Sequence, residues 1–493
     1  MKKVNGMAGD TIYLTITKLV TTLVGIITTK ILSVNLSLSE YGTYSQALVI
    51  ISVVSSLIFC GLGDCINFYY NGIRFKDNEE KKRKVLNTIF AIEFVLWVIA
   101  FFVIVIGQNL IVQFFSNPAL APLLVLVGIK PALENFLYFY QILFVSVGKS
   151  RMIATRNLIV SVGKVIAISI IVSFFRDLWF ILIALIAIDL LQLLIFKIIL
   201  SKQSIVINPF KSSISMIVPV LSYGLPMALY SITNTFSRDI DKLVIGAIAD
   251  EQVLAVYSNC ARILPFDIFT VSLATILMPV IIRFIGYEKN KEAVHLFRTY
   301  LQAGYYSVWI FAVAVLLVTQ EIIPFLYSDE YLSGWGIFVV YVLDSMLRFA
   351  SMHLILTAKG KAKLLMIYSL VSLGMNCILN ILLYYLIGMI GPAIATLIST
   401  LVYTILVLRS SSKELNIKIG ELFIKKDIII FSAKLLLTAI PIYLLKNILL
   451  GAGLNRYIVM FGVLGVFVVI NFILNFKNIK YVLKQVNSIK RDK

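Results

Sequence analysis

Twelve ionisable residues sit inside runs of apolar sequence: Lys18, Lys30, Glu93, Lys130, Glu134, Lys164, Asp189, Arg262, Asp267, Asp344, Arg348 and Lys434. A charge in such a run is costly to desolvate, so it faces protein or a wet cavity rather than lipid. Basic side chains in a cavity replace the hydration of an anion, whereas acids there would serve a cation. Two pairs are spaced to neutralise themselves, Lys130 with Glu134 and Asp344 with Arg348, each four residues apart on one helix face. Arg262 and Asp267 are five apart, a poorer match. Lys18 and Lys164 have no acid three or four positions away. Lys18, Thr22, Gly25 and Thr29 recur at steps of four, three and four, a polar stripe with a single positive charge. That stripe either lines a cavity or carries a lysine reaching the inner headgroups, and Lys164 has the same two readings. Lys197 and Lys446 lie at the ends of apolar runs, where snorkelling is expected.

Other reactive residue types point to no chemistry. Asp64 follows Gly61-Leu62-Gly63, but no strand precedes the glycines and the phosphate-binding spacing GxGxxG is absent. Those glycines read as a place where helices approach closely. Cys60, Cys65, Cys260 and Cys377 fall in apolar runs without CxxC spacing and read as buried small hydrophobes. His295 and His353 are the only histidines, so no metal site is expected. No nucleotide-binding loop is present, and no cofactor is expected.

The elements that must position these charges are membrane helices. The chain has 493 residues, is 60% hydrophobic and 14% charged, and has a mean hydropathy of +0.95. Its apolar runs reach the ~20 residues needed to cross a bilayer. They are continuous rather than alternating, so they are helices and not barrel strands. Fourteen spans are expected, at about 11–33, 42–64, 88–107, 120–147, 158–174, 179–200, 215–236, 254–282, 300–319, 334–357, 364–385, 388–408, 428–446 and 457–475. No cleavable leader is evident at Met1–Asp10. Taking the N-terminus as cytoplasmic, the inner segments hold 31 of the 44 basic residues, and the outer loops hold only Arg176, Arg238, Lys242 and Arg456. This bias places both termini inside. It also shows that the net charge of +19 belongs to the membrane surface and not to nucleic acid.

The chain repeats itself. Thr29–Gln46 (TKILSVNLSLSEYGTYSQ) and Asp241–Asn259 (DKLVIGAIADEQVLAVYSN) each run from a lysine through an apolar stretch and an acid to Tyr-Ser. Lys30 and Lys242 are 212 residues apart, as are Gln108 and Gln320, Ser116 and Ser328, and Gly148 and Gly360. A constant offset implies two homologous halves. We expect a six-helix lobe over 1–200, a linker over 201–213, a second six-helix lobe over 214–410, and two extra helices with a basic tail over 411–493. Pro219, Pro226 and Pro265 interrupt the seventh and eighth spans, either as static kinks or as bending points. The longest outer loop expected is about 17 residues, Ser237–Val253, with Asp239, Asp241, Asp250 and Glu251.

With these features in place, the chain resembles a polysaccharide flippase of the O-antigen/teichoic type. That family lies within the multidrug/oligosaccharidyl-lipid/polysaccharide exporter superfamily. The residues that carry the resemblance are Ser39-Glu40-Tyr41-Gly42-Thr43-Tyr44, Tyr223-Gly224-Leu225-Pro226, Asp239–Gly246 (DIDKLVIG) and Val256-Tyr257-Ser258. It covers roughly residues 10–410. The resemblance implies an all-α integral membrane fold, V-shaped and MATE-like, with a cationic cavity between the lobes. It implies that spans one, two, seven and eight line that cavity, with Lys18, Lys30, Arg262 and Lys242 facing it. Asp64, Lys130, Glu134, Lys164, Asp267 and Arg348 form a second tier of candidates. Some relatives carry arginines where this chain has mostly lysines, which leaves the identity of the diphosphate ligands open. The implied cargo is an undecaprenyl-diphosphate-linked oligosaccharide, carried across the bacterial cytoplasmic membrane. The implied partners are that lipid-linked diphosphate, membrane lipids, and polysaccharide polymerase and chain-length machinery. Alternatives within the superfamily are a multidrug or organic-cation antiporter and a peptidoglycan-precursor flippase. From another class, a membrane glycosyltransferase or polymerase would use the acids of the 237–253 loop.

Overall fold

In lipid, backbone polar groups must be satisfied within the protein, and the apolar runs of this chain do so as helices. The structure, a computed structural model, describes residues 2–59, 61–70, 78–147, 149–201, 207–262, 264–266 and 268–489. Cys60, Gly148, residues 71–77 of the basic loop and 202–206 of the expected linker lie outside the described residues, as do the side chains of Asp64, Asp267 and Pro226.

Two compact units are formed, 1–256 and 257–493. The first contains α1 (Lys2–Asn35), α2 (Leu38–Phe59), α3 (Leu62–Tyr70), α4 (Glu79–Ile106), α5 (Gln108–Phe115), α6 (Leu124–Ser146), α7 (Ser150–Phe174), α8 (Leu178–Ser201), α9 (Ile214–Ile248) and the start of α10 (Glu251–Cys260). The second continues with α11 (Ile268–Gly286), α12 (Asn290–Leu317), α13 (Thr319–Leu326), α14 (Trp335–Leu347) and α15 (Leu354–Ala358). It ends with α16 (Ala362–Ile387), α17 (Gly391–Glu414), α18 (Lys425–Gly451), α19 (Arg456–Leu474) and α20 (Phe476–Ile489). Helix α9, which follows the expected 201–213 linker, packs on α2, α3 and α4 within the first unit.

Among the described residues, ten helical stretches are long and apolar enough to cross a membrane, one of which joins α16 and α17. The three remaining expected spans coincide with α9, α10–α11 and α14–α15, so the helices are compatible with fourteen crossings. Three spans expected to be continuous are broken. Gly61, at φ 65°, divides α2 from α3, using a left-handed conformation that only glycine adopts cheaply. Residues 261–267, which include Pro265, divide α10 from α11, and residues 348–353 divide α14 from α15.

The expected outer loop Ser237–Val253 is also corrected. Helix α9 continues to Ile248 and α10 starts at Glu251, so only residues 249–250 remain between them. The extension is held by a local ion pair, Lys242 Nζ to Asp239 Oδ1 at 2.9 Å, three residues apart on the helix.

The repeat is visible as architecture. In one half α4 is followed by the eight-residue α5, a six-residue 3-10 turn at Pro118–Leu123 and α6. In the other, α12 is followed by the eight-residue α13, a six-residue 3-10 turn at Asp329–Gly334 and α14. The matched Ser116 and Ser328 stand at these joints, Ser116 in the left-handed region at φ 48°. The two repeated stretches meet within the first unit. Ser37 and Glu40 form a reciprocal cap at the start of α2, the Glu40 carboxylate accepting from the Ser37 backbone N–H at 2.8 Å and Oγ at 2.9 Å. Ser39 Oγ donates to Glu251 Oε1 at 2.7 Å. Gly42 lies so close to α10 that a Cβ would stand 1.9 Å from the Glu251 carbonyl oxygen.

In the second unit, charges inside the apolar helices are paired across the bundle. Lys446, expected to snorkel, is 4% exposed and reaches both carboxylate oxygens of Glu321 at 3.0 and 3.2 Å. Helix α13 presents Glu321 inward, which gives the lysine a nearer partner than the headgroups. Lys434 Nζ donates to the Leu474 carbonyl at 3.0 Å, at the end of α19 where the helix has carbonyls to spare. Lys197 is exposed, as snorkelling requires.

Close approach at Gly42 yields a test. Gly42→Ala is expected to destabilise the protein by about 1–3 kcal/mol through overpacking against the Glu251 backbone. Gly163→Ala, in a helix interior with nothing within 4 Å of the added carbon, is expected to stabilise slightly, by about 0.5–1 kcal/mol. Thermal unfolding of both purified variants in detergent checks the pair; equal effects would contradict the packing.

Candidate functional site

Charges on three helices of the first unit converge on one cavity. Helix α6 supplies Lys130 and Glu134, one turn apart. Helix α7 supplies Arg156, Asn157, Ser161 and Lys164 along one face. Helix α8 supplies Asp189 and Gln192, and Thr21 of α1 completes the wall. The cavity has a volume of about 400 Å³, and Tyr138 and Gln141 also line it.

Asp189 is the hub. Its carboxylate is 2% exposed and receives Lys130 Nζ in a direct charge-assisted hydrogen bond. Lys164 Nζ stands 3.4 Å from its other oxygen, which also accepts from Gln192 Nε2 at 3.0 Å. Lys130 also pairs with Glu134 at 3.1 Å, as its spacing predicts. Glu134 is tied to α2 through Ser55 Oγ at 3.3 Å. Arg156 lies over the Phe196 ring, 4.9 Å from its centroid, and donates to Asn157 Oδ1 at 2.8 Å. Its Nε is buried without a hydrogen-bond partner among the described residues. Three cations therefore face two carboxylates. The surplus positive charge, with amide and hydroxyl groups around it, suits a polar anion.

Of the ten candidates read from the sequence, Lys130, Glu134 and Lys164 are brought together here. Lys18 is exposed on α1, one turn from the cavity-lining Thr21, and Lys30 is half-buried on the same helix. Lys242 is held by Asp239, whose other oxygen accepts from Ser52 Oγ at 2.8 Å. Arg262 is exposed in the non-helical stretch after α10, within the second unit. Arg348 pairs with Asp344 at 2.6 Å, again as its spacing predicts, and also donates to Thr400 Oγ1 at 2.5 Å. Asp64 and Asp267 carry side chains outside the described residues.

Two residues central to the cavity were not singled out from the sequence as site residues. In the sequence Asp189 is one of twelve charges in apolar runs, and Arg156 is one of the 31 basic residues of the inner segments. The signal for Asp189 was the absence of any acid near Lys164 on its own helix, which requires a partner on another. Lys164, which has no acid three or four positions away on α7, finds its partner in Asp189 of α8.

The hub predicts graded effects. Asp189→Ala strands the buried Lys130 beside a half-exposed Glu134 and is expected to cost about 3–5 kcal/mol. Lys164→Gln removes a pair whose lysine is a third exposed, and is expected to cost under about 1 kcal/mol. Thermal unfolding of the two variants measures the difference; equal costs would contradict Asp189 as the hub.

Comparison with known proteins places this geometry. A family model described as "Polysaccharide biosynthesis protein" matches residues 31–335. No curated protein matches. Among solved structures, the lipid II flippase MurJ in an inward closed conformation has a TM-score of 0.75 at 16% identity, covering 95% of this chain and 100% of its own. An inward-facing MATE multidrug resistance transporter of the MOP superfamily has a TM-score of 0.61 at 12% identity, covering 80% of this chain and 94% of its own. The MATE multidrug transporter DinF-BH in complex with R6G has a TM-score of 0.59 at 16% identity, covering 83% and 96%. This all-α chain therefore has a MurJ/MATE-like fold, and the resemblance read from Ser39–Tyr44 and Asp239–Gly246 stands. The chain is a multi-pass membrane protein and belongs to the polysaccharide biosynthesis protein family.

Proposed function

We propose that the chain is a flippase for a lipid-linked oligosaccharide, with an undecaprenyl diphosphate anchor as the cargo class. The observation that carries this reading is the family match over residues 31–335 on a fold of flippase and transporter type. The cationic surplus at the Asp189 cavity supports it. A diphosphate must cross a region of low dielectric, where an unpaired anion is costly. Lysine and arginine side chains replace its hydration shell, and tyrosine, amide and hydroxyl groups contact sugar. The polyprenyl tail stays in the bilayer while the headgroup passes. No covalent bond is made or broken, so no catalytic residue is required.

Lys18, Lys30 and Lys242 of the first unit and Arg262 of the second are proposed as diphosphate contacts during passage. The charge bias of the loops supports a bacterial cytoplasmic membrane location with both termini inside. Movement by alternating access is the reading that the fold supports.

The peptidoglycan-precursor alternative is favoured by one observation, the similarity to MurJ over 95% of this chain; the family match favours a cell-surface polysaccharide unit instead. An organic-cation antiporter is disfavoured by a cavity with three cations and two acids. The glycosyltransferase reading is disfavoured by three of its four acids, Asp250 alone being exposed between α9 and α10. Asp239 is bound by Lys242 and Ser52, Asp241 is buried in α9, and Glu251 is engaged by Ser39.

Charge reversal tests the proposal. Each charge-assisted contact to the diphosphate is worth about 1.5–3 kcal/mol, so its loss weakens binding roughly tenfold or more. Surface glycan, measured in cells at matched protein level, is expected to fall for Lys18→Glu and Arg262→Glu. Lys18→Arg and Arg262→Lys are expected to retain more activity, and Lys197→Ala to be near normal. Full export by both reversed variants would remove these residues from the mechanism.

A further inference from the structure

We propose that α20 is a binding surface for anionic phospholipid headgroups, fixed in orientation by a hydrogen-bonded clamp on Asp427. Helix α19 is apolar and long enough to cross the membrane, and only Asn475 separates its end at Leu474 from the start of α20. Helix α20 therefore begins where the chain leaves the hydrocarbon. Its sequence changes character at that point. Lys477, Lys480 and Lys484 recur at steps of three and four, with no acid anywhere in Phe476–Ile489. At 100° per residue the three lysines fall within about 60° of arc. All three are exposed, and the exposed aromatics Phe476 and Tyr481 flank them on either side. This is the layout of an interfacial helix, with cations at headgroup phosphates and rings at the acyl boundary.

The opposite face is committed to protein. Val482 is 3% exposed, and α20 packs on α12 and α19. Asn478 donates to Tyr306 Oη at 2.9 Å and to Asp427 Oδ1 at 3.2 Å. Asp427, in the first turn of α18, also accepts from Gln302 at 3.0 Å, from Tyr306 at 2.8 and 2.9 Å, and from Tyr305. These bonds join α12, α18 and α20, so the helix cannot roll its lysines inward without breaking them. A positively charged, aromatic-flanked stripe at the membrane surface complements one partner on chemical grounds, the anionic lipid of the leaflet beside it.

The test titrates the full-length protein in detergent with dioleoyl-phosphatidylglycerol, dioleoyl-phosphatidylcholine or inorganic phosphate and follows the thermal midpoint. Phosphatidylglycerol is expected to raise the midpoint, and the other two are not. In Lys477→Gln/Lys480→Gln/Lys484→Gln, lipid affinity is expected to fall roughly fivefold per lysine removed, with the lipid-free midpoint unchanged. The corresponding triple arginine variant keeps the response. An unchanged phosphatidylglycerol response in the glutamine variant overturns the proposal, as does an equal response to phosphatidylcholine. A shift produced by inorganic phosphate alone would reassign the stripe to free anions.

Discussion

A charge in the interior of a bilayer protein has no bulk water to turn to, so its position is dictated by its counter-charge. Asp189 on α8 draws Lys130 from α6 and Lys164 from α7. Glu321 draws Lys446 from α18, and Asp344 holds Arg348 one turn away while the guanidinium reaches Thr400 on α17. Asp427 collects donors from α12 and α20. Each pairing fixes two or three helices at a defined rotation about their axes, which apolar packing in lipid does not do by itself. The cavity of the first unit follows from one of these knots. Because three cations meet two acids there, neutralisation among the lining side chains is incomplete.

The repeated stretches add a second constraint. Gly42 and Ser39 bring the start of α2 against the start of α10, with Glu251 accepting from Ser39. The contact rests on a missing side chain and one hydrogen bond, so a larger residue at position 42 has no room. The lysine stripe on α20 lies on an element that belongs to neither repeat.

Much of this was legible in the sequence, and the exceptions have physical reasons. Span positions follow from the length of apolar runs, which the bilayer thickness imposes. The joints at Ser116 and Ser328 were visible as a constant offset because both halves build them from the same short helix and 3-10 turn. Pairs within one helix, Lys130–Glu134 and Asp344–Arg348, were readable from a four-residue spacing. Pairs between helices were not. Lys164–Asp189 and Lys446–Glu321 depend on which helices become neighbours, and spacing along the chain carries no record of that. The loop expected at 237–253 failed because charged residues were read as leaving the helix, when Asp239 and Lys242 pair along it. Helix α20 was hidden in a segment read only as a basic tail.

As proposed, this chain moves a lipid-linked sugar diphosphate across a bilayer by itself and without nucleotide. Reconstitution of the purified protein in liposomes that carry a fluorescent polyprenyl-diphosphate oligosaccharide on one leaflet tests it most directly. Label is expected to become accessible to a quencher on the opposite side in the absence of ATP, with no such transfer in protein-free liposomes. No transfer above the protein-free rate, or transfer that strictly requires ATP with no other protein present, would contradict it.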